Sequence, residues 1–264
     1  MLRYAILGLV QGVTEFLPVS SSGHLVILQH FFGLEAETST LLDALLHFGT
    51  LLAVLVLFRK RIWKLIASIF GNSSENRRYL SNIILATVPI AVAGFLAQDI
   101  IESAFNSLRA AGIGLLVTSL VLAGIKYLGE TTKGMKSLTW KDSLIVGIVQ
   151  TAALFPGVSR SGVTISAGMV RKLNPEFAAE FSFLLMVPAV FGATLFKVWD
   201  GIISNPAPIS SQLALPYIVG TIISALSGAL AIVWLIRLLK KGRFSFFAYY
   251  CFAVGATVVT WSFL

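Results

Sequence analysis

Charge is scarce in this sequence. Only 12% of its 264 residues are Asp, Glu, Lys or Arg, whereas a soluble domain carries about 25%. Hydrophobic residues make up 56% of the chain, and the mean hydropathy is +0.86. So little charge cannot keep a water-exposed surface soluble, which excludes a soluble globular domain. The composition predicts an integral membrane protein.

Cysteine is nearly absent as well. The single Cys251 lies in an apolar run and has no second cysteine for an internal disulfide, so we interpret it as a small packing residue. Lys and Arg outnumber Asp and Glu by 20 to 12, which raises the pI to about 9.8. Because the basic residues fall in short segments between apolar runs, they set membrane orientation and do not indicate nucleic-acid binding.

Two kinds of apolar run are present. Six are long enough to cross a bilayer, at 40–58, 79–98, 108–129, 177–199, 213–237 and 246–263. Four are short, at 4–17, 24–33, 142–155 and 162–172. A helix over 4–17 spans roughly 21 Å, less than the ~30 Å hydrocarbon core. Each short pair surrounds a polar turn, with Ser20 to Gly23 as loop-formers in the first, which favours a re-entrant helical hairpin over one broken helix that still crosses. The predicted fold class is an all-α polytopic membrane protein with six transmembrane helices and two hairpins.

The two hairpins are related in sequence. A shift of 139 positions places one set of residues on another: Gly8, Val10, Gln11, Phe16, Val19, Ser20, Ser22 and Gly23 on Gly147, Val149, Gln150, Phe155, Val158, Ser159, Ser161 and Gly162. The copies differ at three positions that carry reactive or charged side chains. Glu15, Ser21 and His24 of the first align with Leu154, Arg160 and Val163 of the second. One loop therefore carries acid/base groups, and the other carries a fixed positive charge.

Loop charges predict the orientation of the halves. Basic segments face the cytoplasm, which places 59–78, 130–141 and 238–245 inside and leaves 99–107 and 200–212 outside. Each half has one hairpin and three spans, and because three is odd the halves are inverted. The predicted repeats are 1–130, with hairpin 4–33, and 141–264, with hairpin 142–172. Glu35 and Glu37 flank the first hairpin on the outside, the second enters from the inside, and the two meet near the midplane to build a site.

Polar groups at that depth are expensive to bury and indicate function. Glu15 lies one turn after Gln11, so both project from one helix face. Arg160 stands between Ser159 and Ser161 at the start of a half-helix. Free N–H groups, hydroxyls and a guanidinium form an anion site that suits phosphate.

Four further residues complete the predicted site, and all but Thr164 have an alternative role. Thr164 adds a hydroxyl one turn into its helix, and His24 titrates near neutrality or satisfies main-chain groups. Ser20 and Ser22 bind substrate or cap their helix. Arg160 itself binds phosphate or forms a structural ion pair with Glu15. On the first long span, Asp43 and His47 support the site or form a buried hydrogen-bonded pair.

Three motifs carry a family resemblance. Gln11-x-x-x-Glu15, Pro18-Val-Ser-Ser-Ser-Gly-His24 and Pro156-Gly-Val-Ser-Arg-Ser-Gly-Val-Thr164 resemble the undecaprenyl-pyrophosphate phosphatase family, also known as bacitracin-resistance proteins. The resemblance implies removal of the terminal phosphate from undecaprenyl pyrophosphate, a C55 lipid, at the outer face of the cytoplasmic membrane with a divalent cation. The family's acidic motif accepts Glu or Gln at its first position. Since this chain has Gln11, Glu15 is expected to carry more of the metal binding.

The expected mechanism joins the residues to the resemblance. Arg160, Ser159, Ser161 and the helix start hold the pyrophosphate, and Glu15 with Gln11 positions Mg²⁺ or Ca²⁺. Ser21, or a water held by its loop, is the nucleophile, and His24 is the acid/base. A polyprenyl-phosphate carrier is the rival reading, because inverted repeats are typical of transporters. A homodimer is kept as one option for the oligomeric state.

Overall fold

The computed structural model describes residues 1–33, 36–204 and 211–263. Over these ranges the chain forms twelve α-helices, and its only β-type pairing is a single bridge between Lys133 and Leu173. The helices are α1 (Leu2–Phe16), α2 (Ser21–Phe32), α3 (Ala36–Leu57), α4 (Arg59–Ala67), α5 (Ser74–Leu96), α6 (Gln98–Phe105), α7 (Leu108–Gly124), α8 (Trp140–Gln150), α9 (Arg160–Val170), α10 (Pro175–Ser204), α11 (Ser211–Lys240) and α12 (Phe247–Trp261).

Within the described ranges, five helical segments are long and apolar enough to cross a membrane: α5, α10, α11, α7 with the 3-10 turn that continues it to Tyr127, and α12 with the 3-10 turn that precedes it from Phe244. The apolar part of α3, Leu41–Leu57, makes a sixth when it is counted with α4, to which it is joined at a bend of 77°. The predicted class, an all-α polytopic membrane protein, is confirmed.

Two segments predicted as loops are largely helical. Residues 59–67 form α4, where basic side chains alternate with exposed apolar ones such as Trp63 and Ile66. α4 turns 77° away from α3, and its mixture of basic and apolar side chains is typical of a helix that lies along a membrane surface. Residues 98–105 likewise form α6. The prediction of loops was wrong because it used only the charges of these segments and did not consider the helical spacing of their apolar residues.

The four short helices match the two predicted hairpins. They contain 15, 12, 11 and 11 residues, and at 1.5 Å per residue none reaches ~30 Å. α1 packs against α2, and α8 packs against α9. The chain breaks at Leu17 and Pro18 in the first hairpin and after a 3-10 turn, Thr151–Leu154, in the second. The membrane side from which each hairpin enters stays a prediction.

Equivalent helices of the two halves make equivalent contacts. α1 packs on α11 of the other half, and α8 packs on α5 in the same way. The aligned glycines Gly8 and Gly147 permit both contacts, since a Cβ there would collide with the carbonyl of Gly220 or Ala86, respectively. α3 also packs on α10 and α7 on α12, pairs that a two-fold relation between the halves would map onto themselves. The repeat boundaries themselves stay a prediction.

Tight packing on α11 fixes the last turn of α1. Phe16 is fully buried and meets Phe183 edge-on at 5.3 Å. A Cβ on Gly228 would lie 2.9 Å from the Phe16 ring, and Gly12 abuts Ser227. Small residues of α11 thus serve close helix packing and hold the turn that carries Glu15.

Cysteine labelling should separate the two faces of the membrane. Lys64 and Lys136 are exposed in basic segments, and Glu102 is exposed on α6; the side chains of Glu35, Glu37 and Asp200, which belong to the predicted outer segments, lie outside the described residues. In a Cys251→Ser background, cysteines at 64 and 136 should react only from the cytoplasm and a cysteine at 102 only from outside. Labelling of 64 and 102 from the same side would contradict the inverted arrangement.

Candidate active site

The turns of the two hairpins touch. The Ser161 hydroxyl donates to the carbonyl of Leu17 at 3.1 Å, and a Cβ on Gly23 would lie 2.8 Å from the Cα of Gly157. Gly157 has a φ of +86°, a value that glycine adopts readily. Thr118 of α7 holds the second turn by donating to the Gly157 carbonyl and accepting from the Ser159 amide, both at 2.9 Å. The predicted contact between the two loops is confirmed, and its position near the membrane midplane stays a prediction.

Serines cap both second half-helices. Ser20 accepts from the Gly23 amide at 3.3 Å, and Ser159 accepts from the Gly162 amide at 3.1 Å. Ser22 and Ser161 lie 3.2 Å from the respective cap hydroxyls. The capping alternative is confirmed for Ser20. The sequence reading of residues 20–23 as loop was wrong beyond Ser20, because that cap starts α2 at once.

Glu15 is the centre of the cluster. Its side chain is 5% exposed, and both oxygens are engaged. Arg160 pairs with Oε1, and Ser21 donates to Oε2. Gln11 donates to Oε2 at 3.1 Å, and Nε2 of His47 lies 3.6 Å from the same oxygen. One carboxylate thus receives hydrogen bonds from both hairpins, which offset its burial, and it lies beside an imidazole of α3.

Arg160 has spare capacity. Its Nη2 pairs with Glu15 across 145 positions of chain, while its Nη1 is buried without a hydrogen-bond partner in the described part of the protein. The side chain is 14% exposed. Unpaired buried donors are rare and need an explanation. The contact of Nη2 with Glu15 realises the ion-pair alternative. Nη1 still has its N–H groups to donate to an anion.

Ser21 and Glu15 have the geometry of a nucleophile and its base. The hydroxyl of Ser21 donates to the carboxylate, and Ser21 is 7% exposed. A hydroxyl becomes a competent nucleophile when an adjacent base accepts its proton. Arg160 beside the same carboxylate can stabilise negative charge on a transferring phosphoryl group. The arrangement suits phosphoryl transfer to an oxygen nucleophile.

Thr164 and His24 lie at the edge of the cluster. The Thr164 hydroxyl donates to the Arg160 carbonyl at 2.7 Å and lies 2.6 Å from the hydroxyl of Ser182. These contacts hold the first turn of α9, which carries Arg160. Contact of Thr164 with the substrate stays a prediction. His24 bonds to the Ser20 carbonyl and to Tyr250, and its acid/base role also stays a prediction.

The sequence did not predict Tyr250 as the partner of His24, and it left the role of His47 open. Tyr250 is 226 positions from His24, and no local pattern could link them. The sequence left His47 either as a support for the site or as the partner of Asp43. Its Nδ1 lies 2.8 Å from the Asp43 main-chain carbonyl oxygen, and its Nε2 lies 3.6 Å from Glu15 Oε2. The i, i+4 spacing indicated the first contact, whereas the second depends on how α3 packs against α1.

Two side chains with oxygen donors, Gln11 and Glu15, are the candidate ligands for a divalent cation at this place. Mg²⁺ and Ca²⁺ prefer oxygen ligands, and Mg²⁺ often uses one or two carboxylates together with substrate phosphates. Gln11 Oε1 is buried and has no hydrogen-bond partner among the described residues, one turn before Glu15. The same residues contain no cluster of three or more His, Cys, Asp or Glu that could hold a metal. Substrate oxygens would therefore have to complete the coordination.

Comparison with known proteins covers nearly the whole chain. A profile of the family described as "Bacitracin resistance protein BacA" matches residues 4–257. An undecaprenyl-diphosphatase of Halothermothrix orenii is 38% identical over 257 residues, which cover 97% of this chain and 96% of the relative. One of Carboxydothermus hydrogenoformans is 41% identical over 254 residues, covering 96% and 94%. Undecaprenyl-diphosphatase 4 of Bacillus cereus is 40% identical over 258 residues, covering 98% and 96%. The chain therefore belongs to the bacitracin resistance protein family.

Proposed function

We propose that this protein is an undecaprenyl-diphosphatase, which hydrolyses the terminal phosphate of undecaprenyl pyrophosphate. The product, undecaprenyl phosphate, is then available again as a lipid carrier for cell-wall synthesis, and removal of the pyrophosphate form confers bacitracin resistance. The observation that carries the proposal is the meeting of the Glu15–Ser21 pair with Arg160, whose Nη1 still lacks a partner within the described chain. The names of the relatives support the same substrate.

The residues divide the work of phosphoryl transfer. Arg160, with the start of α9, binds the phosphate oxygens. The attacking oxygen belongs to Ser21 or to a water held by its loop, and it forms a bond to the terminal phosphorus while the anhydride bond to undecaprenyl phosphate breaks. If Ser21 attacks, a water must then hydrolyse the phosphoserine, which releases inorganic phosphate and restores the hydroxyl. The proton of the attacking oxygen passes to Glu15 Oε2, which already accepts a hydrogen bond from Ser21, or to His24, the acid/base group that the sequence predicts. Undecaprenyl phosphate leaves, with its tail directed sideways between helices into the bilayer.

Metal binding is part of the proposal. Glu15 and Gln11 Oε1 would hold Mg²⁺ or Ca²⁺ together with substrate oxygens, and the ion would neutralise phosphate charge. Arg160 can keep Nη2 on Glu15 while Nη1 binds phosphate, or it can transfer wholly to the substrate and release Glu15 Oε1. Either arrangement leaves the two loops in place.

The proposed location is the cytoplasmic membrane, with the site open to the outer face. Loop charges support it through the predicted orientation. A polyprenyl-phosphate carrier would need a site that binds an anion, but it would not need a hydroxyl that donates to a carboxylate. The site has such a pair in Ser21 and Glu15, so nothing specific supports the carrier. The enzyme is favoured for that reason.

Phosphate release from undecaprenyl pyrophosphate by purified protein in detergent tests the proposal, since transport is impossible there. We expect release that stops in chelator and returns with Mg²⁺ or Ca²⁺. An Arg243→Ala variant, altered at an exposed residue of a basic segment, should behave as wild type. Absence of release at every metal concentration, from folded protein, would contradict the proposed function.

A further inference from the structure

Positive charge is concentrated in the segment that contains α4. Residues 59–78 carry six Lys or Arg side chains and a single acidic one, Glu75. Among the described residues, only Arg61 of these six forms an ion pair, with Glu180 at 2.7 Å. The protein therefore leaves a surplus of positive charge on this segment, which a negatively charged partner would neutralise.

One face of α4 is anchored to the rest of the protein. Leu65 is 3% exposed. One turn earlier on the same face, Arg61 pairs with Glu180 of α10 and lies over the ring of Tyr79 on α5, 5.5 Å from its centroid. α4 is thus fixed against α5 and α10, which gives its other faces defined directions.

Two rows of side chains lie on the other faces of α4. Lys60 and Lys64, four residues apart, form a basic row, and Trp63 and Ile66, three apart, form an apolar row beside it. Both lysines are exposed, and Trp63 and Ile66 are 71% and 48% exposed. Phe70, in the turn that follows α4, is 92% exposed. A basic row beside an apolar row matches the boundary of a bilayer, where charged head groups meet acyl chains.

We propose that α4 is a binding surface for anionic phospholipids, in which the basic row binds the lipid phosphates and the apolar row lies among the upper parts of the acyl chains. The nine residues of α4 extend only about 13 Å and cannot cross a bilayer. Basic segments next to membrane helices attract anionic lipids, and tryptophan is enriched at the membrane interface. The inference does not rest on the proposed function.

An acidic protein is the competing occupant of this surface. A partner in the aqueous phase would pair with the lysines, but it would leave the apolar row and Phe70 without an apolar medium. α4 begins two residues after Leu57, the last residue of the apolar helix α3, so acyl chains are available beside it. Anionic lipid satisfies both rows at once, and it is favoured for that reason.

Native mass spectrometry of the purified protein tests the charge requirement, with phosphatidylglycerol as the anionic probe and phosphatidylcholine of the same chains as the zwitterionic one. We expect wild type to bind phosphatidylglycerol at least about tenfold more tightly, and Lys60→Gln with Lys64→Gln to lose about fivefold per lysine. Lys241→Gln with Arg243→Gln removes two exposed charges from another segment and should keep the wild-type affinity. Equal affinity of wild type for both lipids, or equal losses in the two double variants, would overturn the inference.

Fluorescence quenching tests where the apolar row lies. The chain has five tryptophans, so the signal of Trp63 is the difference between wild type and Trp63→Phe. In vesicles we expect phosphatidylglycerol brominated near the head group to quench Trp63 more than equally brominated phosphatidylcholine does, and the Lys60→Gln, Lys64→Gln variant to lose this preference. A Trp63 signal that neither lipid quenches would overturn the inference. Because neither measurement uses phosphate release, failure of the proposed function would leave both results interpretable.

Discussion

Arg160→Lys is expected to lower kcat/KM for undecaprenyl pyrophosphate at least about 10-fold, the equivalent of ~1.4 kcal/mol. The substitution retains a positive charge beside Glu15, so the buried carboxylate keeps a counter-ion. It removes the planar fork, however, in which Nη2 pairs with Glu15 while Nη1 is buried and unpaired in the described protein. An ammonium group cannot reproduce this geometry and would have to divide itself between carboxylate and phosphate.

Lysine is a better test than alanine at this position. Arg160→Ala would leave Glu15 charged and buried without its partner, a change that commonly costs 3–5 kcal/mol of stability and would confuse folding with catalysis. Arg171→Lys is the matched control, because Arg171 ends the same hairpin and pairs at 2.8 Å with the buried Asp142. We expect that variant to retain wild-type kinetics. Wild-type kcat/KM in Arg160→Lys would show that Arg160 does not hold the phosphate.

Much of the fold could be predicted from the sequence, because hydrophobic length is a direct measure of what can cross a bilayer. The six predicted long spans correspond to α3, α5, α7, α10, α11 and α12, and the four predicted half-helices to α1, α2, α8 and α9, with ends that differ by up to five residues. The bend after Leu57 could not be predicted, since no proline or glycine stands at Leu57, Phe58 or Arg59 to mark a break in the helix. The loop assigned to Ser20–Gly23 failed for a local reason: the Ser20 cap makes Ser21 helical.

The site was predictable as far as the repeat could be read. Aligning the two hairpins placed Glu15 and Arg160 in opposing loops, and their ion pair follows from that. Contacts that depend on how helices dock were beyond reach, notably those of His47 on α3 and Tyr250 on α12. Neither residue lies in a repeated motif, and only tertiary packing brings them to Glu15 and His24.

Glu15→Gln should lower activity by orders of magnitude, and excess Mg²⁺ or Ca²⁺ should restore part of it. The change is nearly isosteric, so the packing around Phe16 should survive while the charge is lost. A pyrophosphate beside Arg160 carries more negative charge than one guanidinium offsets, and a cation held by Glu15 would supply the rest. Glu180→Gln is the control, because Glu180 also pairs with an arginine, Arg61 at 2.7 Å, but lines a separate cavity.

Gln11→Glu should act in the opposite direction and separates the metal role of Glu15 from a base role. Gln11 Nε2 now donates to Glu15 Oε2 at 3.1 Å, so a second carboxylate there would repel the first until a cation lies between them. We expect half-saturation at a lower metal concentration and a melting temperature that rises more with metal than in wild type. The two variants are decisive together, measured as activity and melting temperature against free metal. If the metal response of Gln11→Glu is unshifted and Glu15→Gln is inactive at every metal concentration, Glu15 serves as the base for Ser21 and not as a metal ligand.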